Sequence, residues 1–382
     1  MNIRLIFLFL FITIISLAGL RVYLALQQSL PRSGVPDNLP TIRLNPTATP
    51  TPRPPLLVKG SIPYWDQRLA VRSFQDHVEQ LDIVSLFWYF LTEDGFIRKY
   101  QYAQEDASII RFAHENGVQV TAVITNLPEE AGSSWDSDRV ERVLVDRESR
   151  AKHIADITEK LESLGFDGVT IDYEGVVGGQ RENFTLFIQE LASALHRSNK
   201  LVGVALHPKT GEASDRRYDF QDWISLAASA DHLYIMSYGE HWDGGEPGPI
   251  ASYGWVKQIV YYAKSMEVPK NKLFLGIPLY GYDWEAESDE AEGLSYSDVA
   301  TLLARYSEEV EWDSNARSPH FHYESSGREH EVWFENAQSV GEKIRLADET
   351  DLAGIAFWRL GGEDPEIWES VSQFTENASS LP

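Results

Sequence analysis

The sequence predicts an α/β protein of the (β/α)8 barrel type. Three observations carry that expectation. Eight short apolar segments of strand character alternate with segments of helical period. Eight such units within about 319 residues suit one parallel barrel. No short-period repeat is visible, so a solenoid is not indicated.

The strands are expected at "VKGSIPYW" (58–65), "DIVSLFWYF" (82–90), "VQVTAVITN" (118–126), "DGVTIDYE" (167–174), "LVGVALHP" (201–208), "HLYIMSYG" (232–239), "LFLGIPLYG" (273–281) and "GIAFWRL" (354–360). Helical period lies between them. In "NFTLFIQELASALHRS", Phe184, Phe187, Ile188, Leu191 and Leu195 share one face. The long interval before the last strand predicts a small α+β insertion, about residues 284–335, between strands 7 and 8.

Ahead of the barrel, Leu5 to Leu20 carries no charge, and after Arg21 the run continues as "VYLAL". That length suits a transmembrane helix, and residues 1–30 are read as a signal-anchor. A cleaved export signal is the alternative, though no small-x-small cleavage site is visible. Residues 31–55 hold eight of the eighteen prolines and read as an extended linker. The barrel is expected over 56–375 and a short tail over 376–382. Such a chain would sit in the cell membrane as a single-pass protein, its barrel on the extracytoplasmic side and monomeric.

Composition narrows the partners. A formal charge of −25 argues against nucleic acid. The absence of cysteine excludes disulfides, thiolate metal sites and a cysteine nucleophile. No histidine pair has metal-ligand spacing, and an Asp-x-Glu pair alone gives a hard cation too few oxygens. Neither a metal nor a cofactor is expected. The acidic run "EAESDEAE" (285–292) reads as a solvated loop.

The strand "FDGVTIDYEG" (166–175) carries the chemistry. Alternation puts Val169, Ile171 and Tyr173 on one face and Thr170, Asp172 and Glu174 on the other. In a barrel the first set meets the helices and the second meets the interior, with Glu174 nearest the catalytic rim. Buried carboxylates are costly unless paired or used. An internal salt-bridge network is the structural alternative. Two carboxylates on one strand face are roughly 6.5–7 Å apart at Cα and cannot flank a glycosidic bond, so Asp172 is poorly placed as a glycosidase nucleophile.

"FDGVTIDYE" resembles the signature of family 18 glycoside hydrolases, D-G-x-D-x-D-x-E. "YIMSYGEHW" (234–242) resembles the family's Met-x-Tyr strand. "EPGPIAS" (246–252), "GIPLYGYDW" (276–284), "HEVWFENAQSV" (330–340) and "GIAFWRLGGEDPEIW" (354–368) are similar to bacterial members of the spore-cortex and peptidoglycan-associated type. The likeness spans the globular part in order. It implies a retaining hydrolase of β-1,4-linked N-acetylglucosamine glycans, chitin or peptidoglycan, whose nucleophile is the substrate's own 2-acetamido group. Glu174 would be the acid and base. Asp172 would orient the acetamido N–H, Tyr238 would bond its oxygen, and Trp358 would floor the distorted sugar. Asp167 and Met236 fall on motif positions, and Tyr280 lies within a matching segment. The family's middle Asp is Thr170 here, which can hydrogen-bond but holds no charge.

Other residues stay open at this level. Tyr64 and Trp88 end the first two strands and either line sugar subsites or pack in the core. Asn126 ends the third strand within reach of ligand. Asp283 lies on a top loop and either shapes the cleft or pairs with a neighbour. The alternative function is a lectin-like barrel that binds the glycan with little turnover. Such barrels often lack the acid, which is present here.

Overall fold

The computed structural model describes residues 55–129, 133–176, 178–286, 288 and 291–376. The expected membrane segment, and the linker up to residue 54, lie outside the described residues. Among the described residues, no helix is long and apolar enough to cross a membrane.

Eight parallel strands form a closed barrel: β1 (Leu57–Pro63), β2 (Ile83–Leu91), β3 (Gln119–Thr125), β4 (Gly168–Asp172), β5 (Leu201–Leu206), β6 (His232–Ile235), β7 (Leu273–Pro278) and β8 (Gly354–Trp358). Each pairs with its neighbours in sequence order. β1 closes the ring by pairing with both β2 (Lys59 opposite Ile83) and β8 (Lys59 opposite Ala356). A short strand, Ile97–Lys99, adds antiparallel to the outer end of β2.

The helices cover the ring because each presents one apolar stripe. Helix Arg181–Leu195 buries Phe184, Phe187, Ile188, Leu191 and Leu195, the face read from the sequence. Truncating Phe187 to Ala would cost about 3–5 kcal/mol. Local chemistry sets the helix ends. Asp146 caps helix Arg147–Leu164 by accepting from Ser149 N, and Gly165 closes it at φ 81°.

The alternation of β4 appears as expected. Val169, Ile171 and Tyr173 are fully buried against the helices. The Tyr173 hydroxyl lies 2.6 Å from His153 Nε2 in helix Arg147–Leu164. Inside the ring the lower layer is polar: Ser85 and Thr121 share a hydrogen bond of 2.8 Å, Thr121 lies 3.5 Å from Thr170, and Lys59 Nζ reaches Thr170 from β1.

Between β7 and β8 the chain builds a five-stranded antiparallel sheet in the order Ala291–Leu294, Gly281–Glu285, Arg328–Trp333, Ser318–Ser325, Glu311–Asp313. Helix Tyr296–Tyr306 packs on it. Leu294, Val299, Phe321, Tyr323, Val332 and Phe334 give this lobe its own small core.

Candidate active site

The C-terminal ends of β4, β6 and β8 surround a cavity of about 230 Å³. Asp172 ends β4, and Glu174 follows two residues later. Glu174 is no longer in the strand, yet its backbone is held as if it were. The Asn126 side chain, just beyond β3, accepts from Glu174 N at 2.8 Å and donates to Glu174 O at 2.7 Å. Gly175 then turns the chain at φ 66°, where a Cβ would also press on Trp135. This fixes the direction in which Glu174 leaves the barrel.

Tyr238 enters from the segment after β6. It packs beside Gly276 of β7, where an added Cβ would lie 3.0 Å from Tyr238 Cε1 and 2.3 Å from Ile235 O. Only glycine permits that approach. Trp358 ends β8. Its ring meets Phe87 edge-on at 5.5 Å and Trp65 at 6.1 Å, and half of Trp65 is exposed. These three rings and Trp135 give the cavity apolar walls, as sugar faces require.

Asp172 and Glu174 are the two carboxylates lining the cavity. Burial pushes Glu174 well above the ordinary carboxylate range, and the neighbouring Asp172 charge pushes it further. Burial raises Asp172 to about 7, while the Lys59 ammonium pulls it back. Oδ1 of Asp172 is buried and finds no hydrogen-bond donor within the protein. A buried acceptor without a partner costs stability and points to use. His207, beyond β5, stands 3.7 Å from Glu174. Burial lowers its pKa to about 4, so it is neutral there. No group of three or more metal-ligating side chains occurs among the described residues.

Of the residues singled out in the sequence, Thr170, Asp172, Glu174, Met236, Tyr238 and Trp358 come together around this cavity. Tyr280 lies one groove along, a space of about 450 Å³ that shares Trp358 and is also lined by Tyr282, Asp66 and Arg359. The others are elsewhere. Trp88 is fully buried in the helix layer against Phe166. Phe87 lines the cavity instead, on the same inward face as Ser85 two residues earlier, so alternation turns Trp88 toward the helices. Tyr64 stacks on Tyr100 at 4.2 Å beside the cavity rather than lining it. Asp167 sits at the opposite rim, before β4. Its carboxylate accepts from Val120 N and lies 2.8 Å from His114 Nε2. Asn126 is buried, and its amide is spent on Glu174's backbone. Asp283 is buried in the lobe, bonded to Tyr323 and to His330.

Lys59 and Trp135 are among the lining residues that the sequence reading did not single out. Lys59 had a signal. In "LVKGSIP" Leu57, Lys59 and Ser61 alternate with Val58, Gly60 and Ile62, which puts a lysine on the inward face of a buried strand. Trp135 lies outside any strand, so alternation could not place it.

The sequence profile of Glycosyl hydrolases family 18 matches residues 113–363. The cortical fragment-lytic enzyme of Bacillus anthracis is 30% identical over 302 residues, 77% of this chain and 68% of that protein. Among solved structures, the Bacillus cereus spore cortex-lytic enzyme SleL superposes with a TM-score of 0.75 at 26% identity, covering 84% of this chain and 74% of that one. A chitinase from Chromobacterium violaceum ATCC 12472 superposes with a TM-score of 0.75 at 28% identity, covering 86% of this chain and all of that one. The chain belongs to glycosyl hydrolases family 18, and it is a glycosidase.

Proposed function

We propose that this family 18 glycosidase cleaves β-1,4-linked N-acetylglucosamine glycans with retention, using the substrate's acetamido group as nucleophile. The observation that carries the reading is the one-sided placement of the two cavity carboxylates. Retaining glycosidases with an enzyme nucleophile set two carboxylates on either side of the bond, about 5–5.5 Å apart. Here Asp172 ends β4 and Glu174 follows two residues on, both lining one cavity with no third carboxylate among its lining residues, which supports attack by the sugar's own acetamido group, as the family likeness implies.

In this reading Glu174, kept protonated by burial and by its neighbour, donates its proton to the glycosidic oxygen as the bond breaks. The acetamido oxygen attacks the anomeric carbon and closes an oxazolinium ring. Asp172 takes the acetamido N–H on its unpartnered oxygen and balances the charge of that ring. Tyr238 donates to the acetamido oxygen, and Trp358 carries the sugar face. Glu174, now ionised, takes a proton from water, which opens the ring with the starting configuration restored.

Peptidoglycan is the favoured polymer over chitin. The cortex-lytic relatives support that preference, as does the apolar N-terminal stretch, which would hold the barrel at the outer face of the membrane. The test is release of new reducing ends from purified peptidoglycan and from N-acetylglucosamine oligomers, by the protein and by Glu174→Gln. Release by the first alone supports the reading. Equal release by both overturns the role of Glu174, and release from oligomers alone overturns the choice of polymer.

A further inference from the structure

The cavity floor holds a cation that the proposed reaction does not use. Lys59 is almost wholly buried. Its side chain rises from β1 into the ring, with Nζ 3.5 Å from Thr170 Oγ1 and 3.3 Å from the centre of the Tyr234 ring. Neither partner carries a full negative charge. An ammonium in such surroundings is expensive unless a carboxylate answers it. The titratable groups that face it are Asp172 at the end of β4, Glu174 just beyond it, and His232, Tyr234 and Tyr238 from β6 and its continuation. His232 is driven neutral by burial, to about 4. Burial keeps both tyrosines protonated. Glu174 is held protonated. Asp172 remains as the anion available to Lys59.

We infer that Lys59 is a positioning residue whose ammonium, seated between Thr170 and Tyr234, is the countercharge that keeps Asp172 ionised beside a protonated Glu174. Thr170 is then the right residue for its place. A carboxylate at 170 would lie against Nζ and take the ammonium for itself. A hydroxyl steadies Nζ and leaves its charge to Asp172, two residues further up the strand. The same field separates the two cavity carboxyls, one ionised and one not, as acid catalysis requires. Burial draws Lys59 itself down to about 7, with Asp172 opposing. The pair therefore titrates near neutrality, and loss of the ammonium is felt there first.

This inference rests on the reading of Asp172 as the ionised partner of the substrate amide, so its test needs a readout independent of turnover. The full-length protein, labelled with ¹³C at aspartate carboxyls, is titrated by NMR, with the Asp172 signal assigned from its loss in Asp172→Asn. In Lys59→Met the Asp172 midpoint should rise by at least about one pH unit, and kcat/KM at pH 6 should fall about tenfold with it. The chain has no cysteine, so Lys59→Cys offers a single thiol. Aminoethylation restores an ammonium at lysine's length, and propylation gives a neutral chain of the same size. The aminoethyl form should return the midpoint and the pH profile toward the parent, and the propyl form should match Lys59→Met. This matched pair also decides the matter if Lys59→Met fails to fold. One midpoint shared by parent, aminoethyl and propyl forms would overturn the inference. A parent that hydrolyses nothing while the midpoint still moves would refute the proposed reaction and leave the charge pair standing.

Discussion

Asp172 and Asp283 are both buried carboxylates at or just beyond the ends of barrel strands, and the protein treats them in opposite ways. Asp283 is finished: Tyr323 donates to one oxygen, and His330 Nδ1 lies 2.9 Å from the other. Glu335, at the lobe's exit, is finished too, with Lys343 Nζ at 2.7 Å and Ser339 Oγ at 2.5 Å. Asp172 is left with a buried oxygen that nothing in the protein satisfies, and it stands next to a second carboxyl. Satisfied carboxylates tie the lobe together. The unsatisfied one marks the place where a ligand completes the hydrogen bonding.

That contrast can be broken by mutation. The largest effect is expected at Glu174→Gln, which should lower kcat about 10³-fold, within the range for loss of a general acid, while the protein stays folded. Asp172→Asn should lower kcat about 10²-fold, because the amide cannot balance the oxazolinium charge. Gly276→Ala tests the wall behind Tyr238. Its Cβ must displace either Ile235 O or the Tyr238 ring, so kcat/KM should fall tenfold or more, with a loss of about 1–3 kcal/mol in denaturant melts. Asp283→Asn should do the reverse of Glu174→Gln. Stability should fall by about 1–3 kcal/mol because His330 and Tyr323 lose a charged acceptor, while kcat stays within about twofold. Equal activity losses at Asp172 and Asp283 would erase the distinction.

The smallest effect sharpens the comparison through pH. Glu174's pKa is raised in the folded protein above its ordinary value. Between the unfolded and folded values the unfolded chain holds fewer protons at this site, so the parent loses stability as pH rises through that window. Glu174→Gln does not titrate there. Its melting temperature relative to the parent should therefore increase from pH 5 to pH 8. A constant gap would mean that Glu174 ionises as an exposed carboxylate does. Activity should show the matching limits. It requires Asp172 ionised, so it should fall as pH drops below about 7, and it requires Glu174 protonated, so it should fall again on the alkaline side.

The barrel was legible because its strands obey period two and its helices period 3.6. All eight strands lie where the pattern set them, and Val169, Ile171 and Tyr173 face the helices as the alternation requires. The site was legible where chemistry and alternation agreed, at Thr170, Asp172 and Glu174. It stayed undecided where a fact about neighbours decided. Trp88, left open between a sugar subsite and the core, proves to be core: Ser85 and Phe87 take the inward face of β2, and Trp88 falls on the other. Asp167 begins its strand rather than ending it, so it serves the opposite rim. Asp283 looks like a rim acid until Tyr323 and His330, 40 and 47 residues on, fold back to claim it. Asn126 reads as a polar residue at a strand tip, and nothing local tells that Glu174's backbone consumes its amide.

The most direct test of the account asks whether the nucleophile belongs to the sugar. Two glucosamine oligomers would be compared, one N-acetylated and one with the amine free at the residue that occupies the Trp358 floor, with ¹H NMR following the first product anomer. Cleavage of the acetylated oligomer alone, with the β anomer appearing first, is the predicted result. Comparable cleavage of both, or an α anomer at the outset, would contradict it.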